Sequence, residues 1–174
     1  MSKFKNIFRI ETARHQDWNY SSPWWYYLTI NTKDHVKCFG TVINEIMELN
    51  EMGKIADQYW NETPFHFQKI ELDYYIIMPN HIHGILIMNK TVETRHASSL
   101  QHKNITLSNV VGSFKSAVTK HVRELGYKDF AWQPRFYDRI IRNEKELYNI
   151  RKYIKQNPLK WEIEKDNPEN IYGF

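Results

Sequence analysis

The chain has 174 residues, a net charge of +4, 41% hydrophobic and 15% aromatic residues, which fits one domain over 1–174 with an N-terminal arm over 1–23 and a C-terminal tail over 159–174. Cys38 is the sole cysteine, so no internal disulfide forms. No apolar run reaches the roughly 18 residues of a membrane span and no signal-peptide core leads the chain, so a soluble cytoplasmic protein is expected, with no membrane partner and with the bacterial nucleoid as its place if it binds DNA.

Strand signals begin at Trp24–Asn31 (WWYYLTIN), rich in aromatic and β-branched residues. Residues 32–40 read as a loop. Over 42–60, Val42, Ile43, Ile46, Leu49, Met52, Ile55, Ala56 and Tyr59 recur at helical spacing, with Gly53 as a weak point and Pro64 as the stop. Residues 65–78 predict a long strand, bent or bulged, and 81–88 the next. Only Pro79 and Asn80 separate them, which predicts an antiparallel hairpin. Residues 89–103 are polar and aperiodic, as in a loop. A second amphipathic helix is predicted over 107–125, with a stripe running from Leu107 through Phe114 and Val118 to Leu125, and Gly126 stops it. Residues 130–141 predict a strand. Asn143 then caps a third helix, Glu146 completes a capping-box-like pair, and Pro158 ends the helix. The first six elements form an α+β, ferredoxin-like βαββαβ order with an antiparallel sheet. The third helix is an addition to it.

Two stretches carry chemistry. At 78–87 (MPNHIHGILI), His81 and His83 stand two residues apart on a strand. They therefore share a face about 7 Å apart along it, while Ile82 points the other way, and two neutral imidazoles so placed can hold a divalent metal. On spacing alone the pair stays open to a plainer reading, two polar residues at a strand end. Gly84 is expected to let another backbone approach. In the third helix, Leu147, Ile150 and Ile154 fall in one sector that packs on the protein. Tyr153 and Asn157 are four apart, on one face that flanks this stripe. Two histidines and an amide oxygen leave metal positions open for phosphate oxygens, and a tyrosine beside them can attack phosphorus. Its phenol, with an ordinary pKa of about 10, is activated by a nearby cation. Residues 131–155 hold seven Lys or Arg against three acids, which is the whole excess charge of the chain and fits a polyanionic partner as well as a solvated helix face.

These residues resemble a known family. PNHIHGI at 79–85, SFKSAV at 113–118, WQPRFYDRIIRNEKEL at 132–147, IRKYIKQNP at 150–158 and YYLTINT at 26–32 resemble the REP-associated tyrosine transposases, a branch of the HUH single-tyrosine transposases. The resemblance spans about residues 20–162, with the motifs in order. It implies that Tyr153 is the nucleophile, that His81, His83 and Asn157 ligate Mg²⁺ or Mn²⁺, and that the substrate is single-stranded DNA with hairpin-forming repeats. Cleavage leaves the 5′ end on the tyrosine, and the protein acts as monomer or homodimer. Lys115, Lys120, Gln133, Arg135, Arg139, Arg142, Lys152 and Lys155 are candidate DNA contacts, since cations pair with phosphates and arginine also reads guanine edges. Tyr137, Tyr148 and Tyr172 are rival tyrosines, read as packing or surface rings. His15, His35, His66, His102 and His121 read as structural or surface residues, and Cys38 is not a nucleophile. Two other readings stay open: a non-catalytic nucleic-acid-binding module of the same shape, and a zinc hydrolase recruiting a further ligand such as Asp73.

Overall fold

A computed structural model describes residues 3–4, 7–8, 18–90 and 105–163. Most of the arm predicted over 1–23, the loop predicted over 89–103 beyond residue 90, and the tail beyond 163, together with His15, His102 and Tyr172, lie outside the described residues. Two short strands, β1 (Lys3–Phe4) and β2 (Ile7–Phe8), pair antiparallel. Then follow β3 (Trp24–Asn31), a 3₁₀ turn over Lys33–His35, β4 (Gly40–Ile43), β5 (Ile46–Leu49) and α1 (Glu51–His66). The remaining elements are β6 (Ile70–Ile77), β7 (His81–Met88), α2 (Leu107–Glu124), β8 (Tyr137–Ile140) and α3 (Glu144–Ile163).

The main sheet runs β6-β7-β3-β8, all neighbours antiparallel, which is the ferredoxin-like order. Alternation along β3 sends Tyr26, Leu28 and Ile30 to one face, where they join Trp60 of α1 and Phe114 and Val118 of α2 in the main core. Tyr27 points to the other face and packs with Ile85, Ile141 and Ile154 under α3. The two faces thus divide the labour. One buries the core, and the other builds a site beneath a single helix.

Several boundaries differ from expectation. The helix predicted over 42–60 begins only at Glu51, because residues 40–49 form the β4–β5 hairpin. Its two-residue loop is Asn44-Glu45, with φ of 50° and 63°, and asparagine tolerates this left-handed region. Asn50 then caps α1 by accepting from the Gly53 amide at 3.0 Å. The apolar spacing at Ile43, Ile46 and Leu49 imitated a helix. Pro64 does not stop α1, which continues to His66, so the strand predicted from 65 starts at Ile70. The strand predicted over 130–141 shrinks to Tyr137–Ile140: Phe130 and Trp132 pack into the main core instead, and Pro134 cannot donate to a ladder. Pro158 does not end α3 either.

Gly84 is needed for a reason other than the expected one. A Cβ there would come within 2.4 Å of the Trp60 indole, so the close neighbour is a side chain of α1 and not a backbone. Gly84→Ala is expected to destabilise the fold by about 1–3 kcal/mol through overpacking, read as a lower urea midpoint with unchanged slope.

Candidate active site

The site begins at the first residues of β7. Antiparallel register sets His81 opposite Asn31 and His83 opposite Thr29. Both rings point to the face under α3, with centroids 4.5 Å apart. The Nδ1 of His81 is 2.7 Å from Asn80 Oδ1. Asn80 donates through its own amide nitrogen to the His35 carbonyl, so its oxygen faces His81 and accepts the Nδ1 proton. That leaves His81 Nε2 with its lone pair. In His83, Nδ1 lies 2.7 Å from Tyr27 Oη and 3.0 Å from Thr29 Oγ1. A proton on Nδ1, donated to Tyr27, leaves this Nε2 in the same state.

Burial sets the charge of both rings. It lowers the His81 pKa to about 4, against the hydrogen bond of Asn157, and the nearby His35 adds to the drop. Burial, with His81 as neighbour, also holds His83 well below the usual range. At neutral pH both are uncharged imidazoles, the form that ligates a metal. Below pH 6.5 the unfolded chain binds protons that these two rings refuse in the folded state. Without metal, stability is therefore expected to be full above pH 6.5 and to fall as pH drops toward 4. Urea unfolding should give a lower midpoint at pH 5 than at pH 7, and a smaller drop in His81→Gln.

The helix over this face is latched at several points. Between Leu72 and Tyr75 a β-bulge sets two residues of β6, Asp73 and Tyr74, against one of β7. Arg151 of α3 bonds Asp73 Oδ2 through Nε at 3.0 Å, and its guanidinium lies over the rings of Tyr74 and Trp25. Ile154 is fully buried beside these contacts. At the far end, Glu162 accepts from the Glu45 amide at 2.6 Å, so the β4–β5 hairpin holds the last turn. These contacts carry α3 through Pro158, whose missing N–H and ring clash cost about 3 kcal/mol in a helix interior.

The latching turns one helix face to the histidines. At 100° per residue, Lys160, Tyr153, Asn157 and Trp161 spread over an arc of about 100° in that angular order. Asn157 is buried and hydrogen-bonds His81. The Tyr153 ring stands edge-on to His83 at 5.3 Å and to Tyr27 at 6.4 Å. Trp161 covers His81 at 5.8 Å, with the Lys37 ammonium over its indole. On the other side, Lys160 Nζ is 4.5 Å from the Tyr153 ring centroid.

The donor set could hold a divalent cation through two imidazoles and one amide. Among the described residues no three His, Cys, Asp or Glu gather around one point, so a third protein donor must come from another residue type. The hydrogen bond to His81 brings the Asn157 amide there. Two imidazoles and an amide oxygen would leave positions open on a divalent cation for the oxygens of a ligand. Asp73, the acid a zinc site would recruit, is committed to Arg151.

A cleft of about 780 Å³ opens beside Tyr153, between β8 and α3, and reaches Lys160. Arg139 and Arg142 line it, and Arg139 is held by Glu146 at 2.6 Å. Glu146 does meet the Asn143 cap, but its carboxylate turns to the Arg142 amide instead of closing a capping box. Gln133 lies at the histidine end of the sheet, bonded to Asn31 and His35. Lys152 and Lys155 are exposed on α3 and Arg135 is exposed before β8. Two candidates lie elsewhere. Lys115 is half-buried, its ammonium donating to the Gln133 and Arg135 carbonyls, and burial lowers it to about 8. It is a tether for the segment leading to β8. Lys120 is on α2, on the opposite face of the sheet, near Glu124 of its own helix. Tyr148 is exposed on α3, and Tyr137 is exposed on β8 at the cleft.

No protein-family model matches the sequence. A Haemophilus influenzae protein described only as uncharacterized is 35% identical over 165 residues, covering 90% of this chain and 92% of that protein. The chain belongs to that protein's family. Among solved structures, a REP-associated tyrosine transposase bound to a REP hairpin matches with a TM-score of 0.58 at 19% identity, covering 86% of this chain and 74% of the other. This chain has the REP-associated tyrosine transposase fold. A further match, a putative transposase from Deinococcus radiodurans, has a TM-score of 0.41 at 16% identity, covering 83% of this chain and 96% of that one.

Within this transposase fold, sequence reasoning missed Tyr27, Asn80, Arg151, Lys160 and Trp161. The last two had a signal. They stand seven and eight residues beyond Tyr153, on the face helical spacing assigns to the site. Taking Pro158 as a terminus removed them from view.

Proposed function

We propose that this protein is a metal-dependent single-stranded DNA endonuclease and strand transferase, a transposase of the HUH tyrosine class acting at hairpin-forming repeats. The observation that carries the reading is the placement of Tyr153 within 5.3 Å of His83, itself beside His81, with Asn157 completing the set. Simple nucleic-acid binding does not require two deprotonated imidazoles and a phenol around one point. The hairpin-bound state of the structural neighbour supports hairpin DNA as the partner. All four residues come from one chain, so the reading needs no second copy to complete the site.

In this reading His81, His83 and Asn157 hold Mg²⁺ or Mn²⁺. When bound, the ion supplies Lewis acidity and a template for the scissile phosphate. The Tyr153 hydroxyl loses its proton to solvent and its oxygen attacks phosphorus. The bond to the 3′ oxygen breaks, that oxygen takes a proton from solvent, and the 5′ phosphate remains on Tyr153. The phosphodiester bond energy is conserved in the link and allows rejoining to another 3′ hydroxyl. Asn80 and Tyr27 hold the two rings in their tautomers, and α3, latched by Arg151, holds the phenol beside His83.

The test is a denaturing gel of the protein incubated with labelled hairpin DNA from the source genome's repeats, with Mn²⁺ or with chelator. A metal-dependent adduct that survives denaturation is expected. Tight binding with no adduct on any repeat would overturn the catalytic reading and leave the binding-module one.

A further inference from the structure

We propose that Lys160 is a catalytic residue for this reaction, contacting a non-bridging oxygen of the scissile phosphate from the side opposite the histidines. The assignment rests on the transposase reading above. Around α3, Lys160 falls about 20° to one side of Tyr153, while Asn157 and Trp161 fall about 40° and 80° to the other. The second pair faces His81; Lys160 faces the cleft, whose wall it shares with Tyr153. A phosphate in reach of the tyrosine oxygen therefore lies between the histidine cluster and the Lys160 ammonium, 4.5 Å from the Tyr153 ring centroid.

Among the cations of the cleft wall, Lys160 is set apart by its place over the Tyr153 ring. Arg151 is engaged by Asp73 and Arg139 by Glu146. Among the described residues, the ammonium of Lys160 meets no carboxylate and rests on the aromatic face of Tyr153. It is exposed, on a flexible stem, at the turn of α3 that the β4–β5 hairpin anchors through Glu162. Its helical backbone is thus held while its charge is available to a ligand. As the tyrosine oxygen bonds to phosphorus and the 3′ oxygen departs, negative charge builds on the non-bridging oxygens, and a cation already in place stabilises it.

The experiment compares Lys160 and Lys160→Met proteins on the natural hairpin and on one whose scissile linkage is an uncharged methylphosphonate. Adduct formation on the natural hairpin is expected to slow about 10²-fold or more in Lys160→Met, with hairpin affinity changed less than about threefold. Lys160→Arg should stay within about tenfold of wild type, since it keeps the charge. In a metal-free Tyr153→Phe background, the protein with Lys160 is expected to bind the natural hairpin more tightly than the methylphosphonate one. Lys160→Met is expected to bind the two alike, an outcome a merely structural role would not give. If wild-type protein forms no adduct, the transposase reading falls and this assignment with it. If both proteins form it equally fast, or both discriminate the two linkages equally, the Lys160 assignment alone is overturned.

Discussion

Tyr153→Phe is expected to abolish the covalent DNA adduct, with cleavage down about 10⁴-fold or more, while hairpin affinity stays within about twofold. Removing a nucleophile outright costs on this scale in other covalent enzymes. The substitution deletes one oxygen and keeps the ring that packs edge-on against Tyr27 and His83, so the fold is expected to persist. The other tyrosines on this face do not replace it. Tyr27 is bonded to His83 Nδ1, and burial raises its pKa, so it remains a neutral phenol. Tyr137 stands at the cleft on β8, and Tyr148 is exposed on another face of α3. Labelled hairpin on a denaturing gel reads the adduct, and filter binding reads the affinity. Adduct at the wild-type rate in this variant would remove Tyr153 from the mechanism.

His81→Ala is expected to lower metal-dependent cleavage about 10³-fold, equivalent to about 4 kcal/mol of transition-state stabilisation. Mn²⁺ binding in the absence of DNA should weaken at least tenfold, measured by calorimetry on the apo protein. His81 is held by Asn80 and Asn157 and lies under Trp161, so its loss opens the end of the site without touching the core of Ile82, Leu28 and Trp60. Circular dichroism should be unchanged. Lys120→Ala serves as a control, because α2 packs on the other face of the sheet. Unchanged Mn²⁺ affinity in His81→Ala would contradict the ligand role.

Local rules make a first group of features legible in the amino-acid sequence. Trp24–Asn31 was legible as a strand because β-branched and aromatic residues fill it. The βαββαβ order followed from alternating periodicities. The pairing of His81 with His83 follows from the two-residue period of any strand, and that of Tyr153 with Asn157 from the four-residue neighbourhood of any helix. A second group depends on distant partners. Residues 40–49 have an apolar spacing that suits a helix or a hairpin, and the left-handed Asn44-Glu45 turn with the contact to Glu162 selected the hairpin. Lys115 and Arg139 are both basic in sequence, yet one turns inward onto carbonyls and the other meets Glu146. Pro158 is a helix stop by local preference. The Arg151 latch, the buried Ile154 and the Glu162 contact together outweigh that penalty, and the extra turn brings Lys160 and Trp161 to the site. A penalty of about 3 kcal/mol is visible in one residue, whereas the contacts that offset it join residues up to 117 positions apart and exist only once the chain has folded.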